Sequence, residues 1–482
     1  MIKIEVDEKR LLTEETGFAD DCTYFFEGEG IAIYNGILKG MVSGAFVRVY
    51  VNDKNGNLVG NFEVEVIEDT YKGYSEAETR EKWYEPIEVE PISGMPKEFS
   101  MGIDISTIQK IIEGGGKFYN REGNRESIYK LLRDNGFNYI RLRLWNEPFQ
   151  YDSEGNRLSY GGGTCDLETI KEIAVDAKGL GFKLLLNFHY SDFWADPAYQ
   201  VIPKMWKNIE TAEGISKALY DYTYETVLTF CAAGAKPDMV QIGNEITSGM
   251  FLQKGGEDDG TFDNDGYAKY ISARTNASDT VSAPYIRGNG KSNLVMYVKS
   301  GTEAVKAVDT SILIMIQLAK EMAEIDFMKG FYHTFVSVPF DVIGLSYYPR
   351  WHGSTASLRC ALMALSEEFP DKKVAVVEVS YAYTYEYNEN ASNQFDEQFA
   401  LADYEVSVQG QANLYRDVIA AVAGVGTACF GVFVWEGAWL PIKGVGWASH
   451  NTKSSWSNQA FFGYGGKVLP SIEVYKRVAE VL

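Results

Sequence analysis

A chain of 482 residues is long for one ordinary domain, and barrels of alternating strands and helices are the units that reach such a size, so one large and one small domain are expected. Its 67 acidic against 45 basic residues give a formal charge of −22, which argues against nucleic acid and anionic lipid as partners and favours a neutral one. Five scattered cysteines (Cys22, Cys165, Cys231, Cys360, Cys429) lack CxxC-like spacing and so indicate neither a disulfide framework nor a zinc site.

The opening MIKIEVDEKR lacks the apolar core and cleavage site of a signal peptide, and no run approaches the roughly 18 apolar residues of a membrane span. The chain as given reads as soluble, with no membrane insertion; a processed secreted protein would begin the same way. Aromatic residues reach 14 %, a composition suited to sugars, whose apolar faces stack on rings while their hydroxyls meet polar edges.

Residues 1–95 read as an all-β domain. Val47, Val49 and Val51 alternate with Phe46, Arg48 and Tyr50, an Asn-Gly turn follows, and Phe62, Val64 and Val66 alternate with Glu63 and Glu65, which predicts a hairpin. A small β-sandwich is expected, serving as a carbohydrate-binding or a spacer unit. The acidic stretch Asp69 to Glu90 reads as a linker or as a last strand and loop, and Pro91, Gly94 and Pro96 mark the boundary.

From residue 96 to 482 the pattern becomes strand, helix, strand, helix. Apolar runs at 99–106, 138–145, 183–190, 238–245, 312–319, 342–349, 373–380 and 429–436 alternate with helix-period segments, several closed by glycine. This is the count and size of a (β/α)₈ barrel; no glycine-rich phosphate loop follows the first strand, which disfavours a doubly wound sheet.

Chemistry in such barrels lies at the C-terminal strand ends, and here those ends are polar or aromatic. DMVQIGNEI ends its apolar run on Asn244 and Glu245; KVAVVEVSY carries Glu378. Arg141, Arg143 and Trp145 share a face, as do Asn187 and His189; Tyr347, Tyr348, Trp435 and Glu436 close later strands. For each arginine, a structural ion pair stands beside a role at the site. Two carboxylates after the fourth and seventh strands, with no metal cluster, Ser/His/Asp arrangement or cofactor motif, suit retaining glycoside hydrolysis, in which one is nucleophile and the other acid then base.

YIRLRLWNEP, YGGG, LNFHYSDFWADP, GNEITSG, VVEVSYAYT, QGQANLYRDVI and WSNQAFFGYGGKVLPS resemble glycoside hydrolase family 53, the endo-β-1,4-galactanases, across the whole barrel. The resemblance implies a retaining barrel enzyme with Glu245 as acid/base, Glu378 as nucleophile, and Asn244 holding the sugar's 2-hydroxyl. It also implies that Arg141, His189, Tyr347 and Trp435 line the site and that Trp447 stacks on sugar. The substrate would be β-1,4-galactan of type I arabinogalactan and pectin side chains, cleaved outside the cell or at its surface by a monomer. Another β-1,4-glycanase of the same clan and a non-catalytic glycan-binding protein are the alternatives.

The chemistry requires no cofactor. Bacterial members of the family the chain resembles often hold a structural calcium in the loop after the seventh strand; that register here gives Glu386, Asn388, Asn390 and Ser392, with Ser454 and Ser457 opposite. Oxygen donors at alternate residues suit a hard cation, but a single carboxylate among them leaves calcium open. The Gly/Asp/Asn-rich stretch from Gly255 to Asn293 matches no family motif and is expected to be a long loop shaping the cleft.

Overall fold

The computed structural model describes residues 1–70, 78–152, 154–257, 260–263, 267–286, 290–388, 392–401, 403–447 and 454–479. All eight apolar runs form strands: β1 (Ser100–Asp104), β2 (Tyr139–Leu144), β3 (Lys183–Phe188), β4 (Met239–Ile242), β5 (Leu313–Ala319), β6 (Val342–Tyr347), β7 (Lys373–Val379) and β8 (Cys429–Val434). They close into one parallel barrel, β8 returning to β1 with Gly431 opposite Ser100. Several strands stop short of their apolar runs because the chain turns sharply at the top. Tyr190, Glu245 and Glu436 hold left-handed φ of 49°, 47° and 49° just beyond β3, β4 and β8. Such backbone is costly for a residue with a Cβ and gathers at functional sites.

The two-residue strand period divides the barrel's interior into layers. Tyr139, Leu185, Met239 and Met315 belong to an apolar filling. Two residues further along the same strands, Arg141, Asn187, Gln241 and Gln317 are buried and polar. Gly102 leaves room for Phe433, whose ring would lie 2.0 Å from any Cβ there.

Helices α1 (Ile128–Asp134), α2 (Leu167–Gly179), α3 (Ala212–Ala232), α4 (Gly290–Val308), α5 (Ile325–His333), α6 (Thr355–Glu368) and α7 (Val408–Ala423) follow successive strands. Asp166, Thr211, Ser354 and Ser407 cap α2, α3, α6 and α7 by accepting a backbone N–H of the first turn. No helix among the described residues is long and apolar enough to cross a membrane.

The N-terminal region is a two-sheet sandwich. Ile2–Ile4, Leu58–Val66, Phe46–Asn52 and Thr23–Phe25 make one sheet, and Lys9–Leu11, Ile37–Gly40 and Ile31–Tyr34 the other. The predicted hairpin is present, with Val47 opposite Val64 and both in the sandwich core. The sandwich is joined to the barrel through buried charge: Lys39 reaches Asp176 of α2 at 3.0 Å, and the Tyr34 hydroxyl donates to the same carboxylate at 2.8 Å. Burial pushes Asp176 up, but Lys39 and Lys9 outweigh it and hold its carboxyl below the usual range.

The described part of the acidic stretch is neither strand nor free linker. A 3₁₀ turn at Glu78–Tyr84 sets Trp83 edge-on against Tyr383 and Tyr464, with centroids 5.0 and 5.4 Å away. Further on, the Ile92 N–H donates to the Val478 carbonyl at 2.9 Å. Residues 78–95 are thus strapped across the barrel's C-terminal elements.

Candidate active site

Glu245 and Glu378 line one cleft of about 570 Å³ at the top of the barrel, a size suited to a small-molecule or sugar site. Glu378 owes its direction to a slip in strand pairing: Val376 opposes Leu345, yet Glu378 opposes the next residue, Ser346. The extra residue is a bulge of the kind that re-aims side chains beside active sites. Three donors hold the Glu378 carboxylate: Arg141 Nη2 and Gln317 Nε2, each 2.8 Å from Oε1, and the Tyr348 hydroxyl, 2.8 Å from Oε2.

Glu245 has a different setting. Its Oε1 accepts from Ser346 Oγ at 2.5 Å, and its backbone N–H donates to Gln317 Oε1 at 3.2 Å. Burial and the negative charge of Glu378 push Glu245 well above the usual carboxylate range, against the pull of Ser346 and Arg141. Gln317 spans the pair, because Nε2 also donates to Ser346 Oγ at 2.9 Å. A carboxyl whose proton is favoured by its surroundings, beside a second one held by three donors, is the division of labour a double displacement needs.

Asn244 is fixed through both ends of its amide. Its Oδ1 accepts from Asn187 at 2.8 Å and Arg141 at 3.1 Å, and one Nδ2 hydrogen goes to the Ala195 carbonyl at 2.7 Å, leaving the second for a ligand. Arg141 also binds Asp104 at 3.2 Å, so it acts through both a structural ion pair and the site. His189 lines the cleft; its Nδ1 accepts the Ala195 N–H at 3.1 Å. Burial and then Arg143 and Arg141 push its pKa well below normal, so it is a neutral ring with its remaining N–H on Nε2.

Trp435 and Trp447 both line the cleft, within a set of packed rings. Trp447 stacks on Trp194 at 4.9 Å and on Trp456 at 5.3 Å, while Trp435 meets Trp456 edge-on at 4.5 Å.

Tyr347 is corrected. It is fully buried, its hydroxyl donates to the Gly353 carbonyl at 2.9 Å, and the neighbour Tyr348 lines the cleft instead. Strand alternation is the reason: Ser346 and Tyr348 share the inner face of β6 with the carboxylates, which turns Tyr347 outward.

The second arginine, Arg143, is sealed beneath the aromatic wall. It pairs with Glu436, lies 3.4 Å from Asp104, gives a hydrogen bond of 2.7 Å to the Gly162 carbonyl, and sits 4.6 Å under the Trp194 ring. Glu436 also accepts from Thr107 at 2.6 Å; burial, against the pull of Arg143, pushes its pKa up to about 7.

The residues proposed for calcium are divided. Asn388 is buried, its Nδ2 donating to the Ser454 carbonyl at 3.0 Å and to Ser457 Oγ at 3.2 Å, while its Oδ1 has no hydrogen-bond partner among the described residues. Glu386 instead pairs with Arg80 at 3.1 Å, Ser392 is exposed, and Asn390 lies outside the described residues. Among the described residues no cluster of three or more His, Cys, Asp or Glu side chains could hold a metal.

Sequence reasoning passed over Gln317 and Ser346, and took Tyr348 only as a residue closing its strand. Each had a signal: Gln317 and Ser346 are lone polar residues inside apolar runs, and Tyr348 stands in phase with Ser346.

The model of glycosyl hydrolase family 53 matches residues 100–475. The endo-β-1,4-galactanase of Bacillus subtilis is 34% identical over 84% of this chain and 92% of that protein. The arabinogalactan endo-β-1,4-galactanase of Cellvibrio japonicus is 29% identical over 78% of this chain and 90% of its own. Among solved structures, the Ignisphaera aggregans GH53 catalytic domain superposes with a TM-score of 0.69 at 36% identity, covering 82% of this chain and all of that domain. The match spans every barrel strand and both cleft carboxylates, and the chain therefore belongs to glycosyl hydrolase family 53.

Proposed function

We propose that the protein is an endo-acting, retaining β-1,4-galactanase that cuts type I arabinogalactan in pectin side chains. The observation that supports it most is the different setting of two carboxyls on one cleft: Glu245, buried with Ser346 Oγ at 2.5 Å and pushed up by burial and by Glu378, and Glu378, whose oxygens are held by Arg141, Gln317 and Tyr348. Glu378 attacks the anomeric carbon while Glu245 gives its proton to the departing glycosidic oxygen. Once Glu378 is esterified its charge is gone, Glu245 takes a proton from water, and that water displaces Glu378 with net retention. Asn244 offers its second amide hydrogen to the 2-hydroxyl, a contact that strengthens as positive charge develops on the ring.

Residues 96–482 carry this chemistry and residues 1–95 serve as the accessory unit. The enzyme works as a monomer outside the cell, where a wall polymer is accessible. A calcium in the loop after β7, as the resemblance to bacterial relatives suggests for Glu386, Asn388 and Asn390, would have a structural role with no part in bond cleavage.

The test is chromatography of products from linear β-1,4-galactan, mannan and xylan, with Glu378→Ala as control. Short galacto-oligosaccharides from galactan alone, absent with the variant, are expected. Products from mannan or xylan instead would assign another glycanase, and galactan bound without products would assign a lectin.

A further inference from the structure

The stretch after β4 that resembles no family motif supplies a wall to the catalytic cleft. It is pinned by a small sheet in which Gln253–Lys254 pairs in parallel with Val201–Ile202 and antiparallel with Thr275–Asn276. Tyr270 fastens it further, donating its hydroxyl to the Ile202 carbonyl at 2.9 Å. Tyr199 stands just before the first of these strands and Arg274 just before the last. The pinning therefore brings the two together, with the Arg274 guanidinium carbon 3.9 Å from the Tyr199 ring centroid.

Both residues line the same cleft as Glu245 and Glu378, yet neither contacts the carboxylates among the described residues. Tyr199 is 39 % exposed, and its N–H is held by Asp196 Oδ1 at 2.9 Å, so the ring is presented on a fixed turn. Arg274 gives an N–H to the Ile271 carbonyl at 3.1 Å. Its charge is felt by Asp196, the acid that holds the Tyr199 turn, but among the described residues no carboxylate lies within ion-pair distance of it. A guanidinium stacked on a ring keeps its donors in plane and free to bind oxygen pairs, as adjacent sugar hydroxyls provide.

We propose that Tyr199 and Arg274 form an outlying sugar subsite, built by this insertion, that binds a unit of the polysaccharide beyond those flanking the bond being cut. The inference rests on the galactanase reading and adds to it a preference for longer chains. The full-length protein and its Arg274→Ala and Tyr199→Ala variants are compared on galactotriose and galactohexaose. The ratio of kcat/KM on the hexaose to that on the triose is expected to fall about tenfold in each variant, the size of one lost stacking contact. An unchanged or raised ratio overturns the subsite while leaving the activity standing. A wild-type protein that turns over neither oligosaccharide overturns the galactanase reading, and the subsite with it.

Discussion

Glu245 and Glu436 both follow a barrel strand, both hold left-handed backbone, and both are pushed up in pKa first of all by burial. Their surroundings separate them. Glu436 is fully buried beneath Arg143 and Thr107, whereas Glu245 opens on the cleft with the like charge of Glu378 as its neighbour. A displaced pKa marks a strained environment; only together with an open side does it mark a group able to exchange a proton with substrate.

Replacing each residue should sharpen that contrast. Glu245→Ala is expected to lower kcat on galactan about 10³-fold, the worth of a general acid. Aryl galactosides with good leaving groups, which need no proton, should lose far less; equal loss on both would remove Glu245 from the acid's role. Glu436→Ala should act on folding instead, because it strips a partner from a buried guanidinium. A loss of about 3–5 kcal/mol is expected in urea denaturation. A collapse of kcat with an unchanged midpoint would move Glu436 into the chemistry.

Ser346→Ala is the gentlest probe. Its hydroxyl favours the charged form of Glu245, so its loss should push that carboxyl up further. The acid then stays protonated to higher pH, and the alkaline limb of kcat/KM should move upward while kcat falls roughly tenfold from lost alignment. Stability follows the same sign. The folded protein keeps this proton after the unfolded chain has released it, so the favourable contribution is complete below the unfolded carboxyl value and is lost as pH rises towards the folded one. In the variant that loss should extend to higher pH. A limb that stays in place would reduce Ser346 to packing.

The eight strands were legible because parallel barrel strands are buried on both sides and read as unbroken apolar runs. Glu245 and Glu378 were legible because each is a carboxylate near the end of such a run. Facing was harder. Tyr347 came from the family resemblance, and only the alternation of β6, with Ser346 and Tyr348 on the inner face, shows that its neighbour is the one in the cleft. Gln317 was hidden because a lone amide in ILIMIQLA has the same appearance whether it lines a site or satisfies a core neighbour. The stretch from Gly255 to Asn293 was legible as a loop shaping the cleft, and Arg274 lies in it, but its meeting with Tyr199 left no signal. It depends on strands of two residues each, too short to leave a period in the sequence.

The buried contact of Lys39 with Asp176 has a consequence for how such a chain can evolve. A sandwich tethered by a flexible joint could be exchanged between enzymes by recombination at the joint alone. Here half of the lock lies in α2, deep in barrel sequence, and a barrel that receives a foreign N-terminal unit inherits an acid with no cation beside it. The two parts are thereby constrained to descend together, and a successful swap would need a compensating change in α2.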